Sequence, residues 1–171
     1  NSLNNKGEIS ANNNIDLVLS AFDNGGKIIS QNNITLEAND DLDLNARTLH
    51  AKNLLDISSN ENLRVNSKLE NLGSIQLNAR NIYINALVAN NGYLYSVKNT
   101  TLNALIVMND SMIDSLQDLS INSKYVNNNS LIYASRDINI EAQTLNNIAQ
   151  MIGSLTYFTD NTRGFGWANY G

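Results

Sequence analysis

The chain has 171 residues, a formal net charge of −5 and 42% hydrophobic residues, which is enough for one domain or a short repeat array with a real core. Lys and Arg together number 11, which argues against nucleic acid as a partner because binding it depends on clustered basic side chains. The lack of cysteine excludes disulfides, thiolate catalysis and cysteine metal sites, and no apolar run reaches the roughly 20 residues that span a bilayer.

Two residue types are used unusually. Asparagine occurs 33 times, and it favours turns because its short amide side chain tolerates left-handed backbone. Proline is absent, as expected where inner strands must donate backbone hydrogen bonds on both sides. Together these features predict many short strands separated by turns.

The chain repeats itself from its first residues. "GEISANNNIDLVL" (7–19) aligns without a gap on "GKIISQNNITLEA" (26–38), 19 positions later. The shared template is an aliphatic residue, a small or polar residue two positions later, and an apolar pair six and eight positions later. Its first positions in chain order are Ile9, Ile28, Leu49, Leu69, Leu87, Ile113 and Ile132.

Two irregularities stand out. In the fifth repeat, Leu87 is followed by Ala89 and by Tyr93 and Tyr95 as the inward pair, and the step from Leu87 to Ile113 is longer than the others. We therefore predict an insertion of about six residues within 99–112. An eighth coil begins at Ile152, with Phe158 six positions later.

Within every repeat, apolar residues alternate with polar ones, and a third alternating piece such as Leu63 with Val65 follows the pair. This pattern predicts three short strands per coil, with parallel coils of about 20 residues stacked about 4.8 Å apart. Seven coils would make a rod on the order of 35 Å long.

The last complete repeat shows which side chains should point inward. We expect Ile132, Ile138, Ile140 and Leu145 to face the core, with Ala134 and Ala142 where the coil is narrow. An Asn or Asp precedes each apolar pair and should stack at the corners as a hydrogen-bonded ladder. The residues concerned are Asn14, Asn33, Asn62, Asn81, Asp118 and Asp137.

Two stretches carry a distinctive repeat motif, "ASRDINIEAQTLNN" (134–147) and "SAFDNGGKIISQNNITLEA" (20–38), the second with an Asn-Gly-Gly turn. With these motifs, the repeats resemble those of the filamentous haemagglutinin family of two-partner-secretion exoproteins. The resemblance covers about 2–147. It implies a right-handed parallel β-helix (solenoid), an all-β fold.

The resemblance also implies a function. Family members leave the cell through a dedicated outer-membrane two-partner-secretion transporter and form filaments on the bacterial cell surface. We therefore expect a structural and adhesive filament segment, secreted or surface-bound, with a host-cell or bacterial receptor (protein or glycan) as possible partner. One alternative is the stalk or receptor-binding region of a contact-dependent growth inhibition protein. Because the sequence begins at Asn1 in mid-pattern, we interpret it as a segment of a longer protein.

An enzyme is the other alternative, since many β-helix proteins act on glycans. Such enzymes gather carboxylates and basic residues in one cleft. Here the carboxylates are scattered among outward positions, so we predict no enzyme, no catalytic residue and no cofactor. They are Asp16, Asp43, Asp56, Asp137 and Glu141.

Two features of the sequence are candidates for a metal site. "NDDLDLN" (39–45) resembles the start of a calcium loop, but Ala46 and Lys52 stand where that loop requires Gly and Glu. His50 is the single histidine and lies between Leu49 and Ala51, so it should point outward. We predict no metal site and a solvated face for both.

The C-terminal end departs from the template. We divide the chain into repeats (1–155) and an aromatic, glycine-rich tail (156–171) that is a cap or a linker. An alternative is a contact hot spot, because aromatic residues and Arg dominate such sites. The candidate contact residues are Tyr157, Phe158, Arg163, Phe165, Trp167 and Tyr170.

Overall fold

The computed structural model describes residues 1–45, 48–87, 91–159 and the backbone of 168–170. These residues form 21 strands and no helix. The strands wind into eight coils, and each coil adds one strand to each of three faces, which we call A, B and C. The predicted all-β fold, a parallel β-solenoid, is confirmed.

Face A holds the first strand of each coil. Its strands are β1 (Ser2–Asn5), β4 (Ala21–Asn24), β7 (Leu42–Leu44), β10 (Asn62–Val65), β13 (Asn81–Ile84), residues 106–109 of β15 (Thr100–Asn109), residues 125–128 of β17 (Leu119–Asn128) and β19 (Thr144–Asn147).

Face B holds the second strand of each coil. Its strands are β2 (Glu8–Ala11), β5 (Lys27–Ser30), β8 (Thr48–Ala51), β11 (Lys68–Asn71), β14 (Tyr93–Ser96), β16 (Met112–Ser115), residues 131–134 of β18 (Leu131–Glu141) and residues 150–152 of β20 (Gln150–Phe158).

Face C completes each coil. Its strands are β3 (Ile15–Leu19), β6 (Ile34–Ala38), β9 (Leu54–Ser59), β12 (Ser74–Asn78), residues 100–104 of β15, residues 119–123 of β17, residues 138–141 of β18 and residues 154–158 of β20. The ladders between coils are parallel, and most join residues 19 positions apart, as in Met112 with Leu131. Eight coils make a stack about 34 Å long at about 4.8 Å per step.

The core is a column of aliphatic side chains because alternation along each strand sends every second residue inward. Ile132, Ile138 and Ile140 are fully buried, as are the equivalent Ile113, Leu119 and Ile121 of the preceding coil, and Ala134 and Ala142 are buried beside them. Leu145 is partly buried against the same core. The predicted inward positions of this repeat are thus confirmed, and one coil shields the next.

The predicted place of the insertion is wrong. Residues 99–112 lie mostly in the unbroken strand β15, whereas the extra residues fall at 85–92, between β13 and β14. Other coils place two or three residues at this corner, and this one has eight. Leu94 is therefore the inward residue of the fifth coil, paired with Leu69 and Ile113, while Leu87 is exposed.

The start of the eighth coil is also shifted. Met151, not Ile152, pairs with Ile132, and Leu155 then pairs with Ile138, so the corner has lost two residues. Gly153 makes this short corner with a φ of +154°, a conformation that side-chain-bearing residues rarely adopt. Ile152 consequently points outward.

Asparagine and aspartate side chains connect successive coils, as predicted, but they form two ladders at different places in the coil and not one. Before face C, the side-chain oxygen of Asn99 accepts the backbone N–H of Asp118 at 3.1 Å, and that of Asp118 accepts the N–H of Asp137 at 3.2 Å. At the first position of face A, the amide of Asn81 donates to Asn62 at 2.9 Å. The bonds before face C occupy corner groups that the strand ladders leave free.

A further asparagine ladder, absent from the sequence-based predictions, runs inside the solenoid. Asn109 and Asn128 are fully buried at the last inward position of face A, and Asn109 donates to Asn128 at 2.9 Å. Asn128 donates in turn to Asn147 at 2.8 Å. Asn5 and Asn24 form the same contact in the first two coils, at 2.9 Å.

The tail contributes one further strand. β21 (Ala168–Tyr170) pairs antiparallel with residues 155–157 of β20 and so lies along the free edge of the last coil. An edge strand covered in this way offers fewer unpaired backbone groups to another chain.

Candidate contact surface

The outward residues differ between faces. On face C they are mostly small or polar, as in Thr35, Asp56, Gln76, Thr101 and Ser120. On face B, from the fourth coil onward, the outward residues are mostly large. We call this the tyrosine surface, formed by Lys68, Glu70, Tyr93, Tyr95, Met112, Asp114, Leu131 and Tyr133.

Strand pairing fixes the arrangement of the tyrosine surface in two columns. One column runs from Lys68 through Tyr93 and Met112 to Leu131. The other runs from Glu70 through Tyr95 and Asp114 to Tyr133. Because each residue lies on a separate, hydrogen-bonded strand, the columns are held rigidly at about 4.8 Å per step.

One end of the surface already holds a cation. The Lys68 Nζ lies 5.5 Å from the ring centre of Tyr93 and 5.7 Å from that of Tyr95, within cation–π range. The two rings are 5.9 Å apart and tilted by 54°. Lys68 also pairs with Glu70 at 2.8 Å, and this hydrogen bond raises the pKa of the ammonium group.

Asp114 occupies the middle of the surface. Its Oδ2 accepts a hydrogen bond from the Tyr93 hydroxyl at 3.3 Å, whereas its Oδ1 is buried and meets no donor among the described residues. Burial raises the pKa of the Asp114 carboxyl, and the Tyr93 hydrogen bond partly opposes this. Burial, followed by the charge of Asp114, raises the pKa of Tyr93.

This arrangement is suited to binding. Tyrosine and methionine are enriched in protein contact surfaces. Tyrosine in particular presents a large, rigid area at low entropic cost. The carboxylate of Asp114 adds a charge among the aromatic rings, and the flat sheet beneath fixes its position.

Only part of the candidate contact residues of the tail lies in the described part of the chain. Tyr157 pairs with Ile140 on the inner column and packs against the core, while Phe158 pairs with Glu141 on the outer column. Tyr170 lies in β21, opposite Leu155. Arg163, Phe165 and Trp167 fall outside the described residues.

The aspartates of 39–45 lie on the outside of face A, as predicted. Arg64, one coil further on, pairs with Asp41 at 3.3 Å and with Asp43 at 3.1 Å. Hydrogen bonding to Asp43 is the main cause that raises the pKa of Arg64. A guanidinium group therefore occupies the place considered for calcium. His50 is half-buried on the outward column of face B.

The carboxylates considered for an enzyme site lie on different coils and faces. Asp16, Asp56 and Glu141 lie on face C of the first, third and seventh coils, Asp43 is on face A, and Asp137 is at a corner. Burial, and then the charge of Glu37, raises the pKa of Asp56. Nowhere in the described part of the chain do three or more His, Cys, Asp or Glu side chains group so as to hold a metal ion.

Sequence reasoning missed the tyrosine surface because it placed Tyr93 and Tyr95 inside. The correct signal was present, since Leu94 and Ser96 repeat as Ile113 and Ser115 19 positions later. Thr100 hid this repeat, because it lies six positions after Leu94, where the template expects an apolar residue, and it is polar although buried.

Comparisons with known proteins do not identify the chain. No family model, no curated protein and no solved structure matches it. Among the described residues, no helix is long and apolar enough to cross a membrane.

Proposed function

We propose that this chain is a rod-forming segment of a secreted bacterial surface exoprotein and that it projects or makes contacts between cells. The observation that supports this most is the stack of eight coils, in which the strands of face C pair continuously from the first coil to the eighth. Each coil buries its apolar side chains against the next, so such a stack can extend in one direction without a new core.

The kinship with filamentous haemagglutinin repeats stays part of this proposal, and it rests on the recurring motifs. It brings with it export through an outer-membrane two-partner-secretion transporter and exposure at the cell surface. A non-catalytic role is also proposed, and the separation of the carboxylates on different coils and faces supports it.

The contact role is assigned to the tyrosine surface. It brings three outward tyrosines, Tyr93, Tyr95 and Tyr133, together on one face, whereas the outward residues of face C are mostly small or polar. The rod would supply reach and rigidity, and face B would supply the recognition.

Cell binding tests this proposal. The labelled chain should bind epithelial or Gram-negative cells, and the double variant Tyr95→Ser/Tyr133→Ser should bind less. Tyr83→Ser, which removes an outward tyrosine from face A, is the matched control and should bind like the parent. Failure of the parent to bind either cell type would refute the contact role, and equal loss in the control would refute its assignment to face B.

Solution scattering tests the rod separately. The chain should give the profile of a rigid particle elongated along the stack, with dominant β signal in circular dichroism. A helical spectrum would refute the proposed rod.

A further inference from the structure

The tyrosine surface carries one charge that the chain does not compensate. Lys68 and Glu70 pair with each other at 2.8 Å. Asp114 has no ion-pair partner in the part of the chain that the structure describes, and its Oδ1 is buried without a donor. A buried carboxylate oxygen of this kind is unfavourable until a donor or a cation compensates it.

The rings around Asp114 are of the type that binds cations. The ammonium group of Lys68 already lies over Tyr93 and Tyr95, and it shows how these rings attract positive charge. On the other side of Asp114 stands Tyr133, paired with it through β16 and β18. Tyr95 and Tyr133 start about 9.6 Å apart, two strand spacings, with Asp114 between them.

We propose that Asp114, with Tyr93, Tyr95 and Tyr133, is a binding site for a cationic side chain, the guanidinium of Arg or the ammonium of Lys, presented by a partner protein. The inference rests on the proposed function in that it names the partner chemistry of the same surface. Its chemistry can nevertheless be tested without cells.

Charge complementarity favours a cation over a neutral occupant. An apolar side chain would cover the rings but leave Asp114 charged and further desolvated. A sugar hydroxyl can donate a hydrogen bond to the carboxylate, but it brings no positive charge to compensate it. A guanidinium compensates that charge, and its flat face stacks on tyrosine while its N–H groups point to the carboxylate. The net charge of −5 also attracts a basic partner.

The test is a titration of the whole, isotope-labelled chain followed by amide resonances. The probe is the capped peptide acetyl-Gly-Arg-Gly-amide, and the matched probe carries citrulline, the neutral isostere of Arg. We expect saturable shifts centred on residues 95, 114 and 133 with the Arg peptide, and binding at least about tenfold weaker with citrulline.

Three variants, one of them a control, assign the effect to individual residues. Asp114→Asn should weaken binding of the Arg peptide by about tenfold or more, because a charge-assisted contact is lost. Asp16→Asn removes the same charge from the outward side of face C and should leave binding unchanged. Tyr133→Leu removes one ring and should weaken binding while the Asp114 carboxylate remains.

Several results would overturn the inference. Equal binding of the Arg and citrulline peptides, parent-like binding by both Asp114→Asn and Tyr133→Leu, or shifts centred on another face would each do so. Shifts at 95, 114 and 133 with a neutral oligosaccharide and none with the Arg peptide would replace the cation with a glycan. If cells bind but the Arg peptide does not, this inference fails and the proposed function stands. If the Arg peptide binds but cells do not, the proposed contact role fails and the cation site stands.

Discussion

The buried asparagine ladder gives the sharpest test of the fold. Asn128 is fully buried, and the two N–H groups of its amide are shared among three acceptors, the Ser130 carbonyl at 2.7 Å, Asn147 at 2.8 Å and the Gln150 carbonyl at 2.9 Å. Its Oδ1 accepts from Asn109 at 2.9 Å. One side chain therefore ties three coils together.

The substitution Asn128→Ala removes all of these bonds. A neutral hydrogen bond contributes about 1 kcal/mol net, and a buried group left without a partner costs about 1–3 kcal/mol. Asn109 keeps its bond to the Leu131 carbonyl at 3.0 Å, and the exposed Asn147 can turn to water, so the loss stays below the simple sum. We expect the free energy of unfolding to fall by about 3 kcal/mol.

Urea denaturation followed by circular dichroism measures this loss as a lower midpoint at unchanged slope. The matched control is Asn127→Ala, one residue earlier, where the side chain points outward and accepts one bond from Asn146 at 3.0 Å. The control should lose less than about 1 kcal/mol. Equal losses in the two variants would refute the view that the internal ladder stabilises the stack.

Three further predictions concern the core, a corner and the tyrosine surface. Ile138→Asp should unfold the chain because it buries an unpaired charge, whereas Asn139→Asp, which points outward, should melt within a few degrees of the parent. Gly26→Ala should be destabilising, since its Cβ would overlap the Gly7 carbonyl oxygen, and Gly7→Ala, whose Cβ meets nothing within 4 Å, should be tolerated in thermal melts. Asp114→Asn should raise the melting temperature at neutral pH. Because burial raises the pKa of Asp114 in the folded state, the carboxyl favours folding below its ordinary value of 3.8 and loses that contribution as the pH rises through its folded pKa. The difference between variant and parent should therefore shrink on acidification, and a constant difference would contradict this assignment.

The solenoid could be predicted from the sequence because its core is periodic. Aliphatic residues such as Ile28, Leu49 and Leu69 recur at nearly constant spacing, and each must face the same column. This constraint comes from stacking alone, so no long-range contact had to be guessed.

The errors fell where a polar residue is buried or a corner changes length. Thr100 is fully buried and bonds to Ser96 at 2.6 Å, so an internal hydrogen bond replaces the apolar contact that the template expects. In the last coil, the corner at Gly153 is two residues shorter than in the preceding coil, so the template placed the inward residue at Ile152 and not at Met151. Apolar periodicity contains no information about such internal polar pairs or about corner geometry.

The contact surface was hidden for a related reason. An outward residue is free to vary because the stack does not depend on it, so no spacing rule predicts where tyrosines will lie. Once the inward position is known to be Leu94, its neighbours Tyr93 and Tyr95 must point outward, since alternation leaves them no other side.

That independence of core and surface has a consequence for how such a rod can change. An inward residue such as Ile113 is packed between the coils on either side, so substituting it disturbs several strands at once. Its neighbour Asp114 touches side chains on the outside of the same strands and can be replaced without repacking the core. A solenoid can therefore acquire or alter a binding surface one outward residue at a time while its stability stays nearly constant. Three tyrosines lie on the outside of face B in the later coils. Such a grouping can arise because the inward residues alone stabilise the stack and the outward residues are free to change.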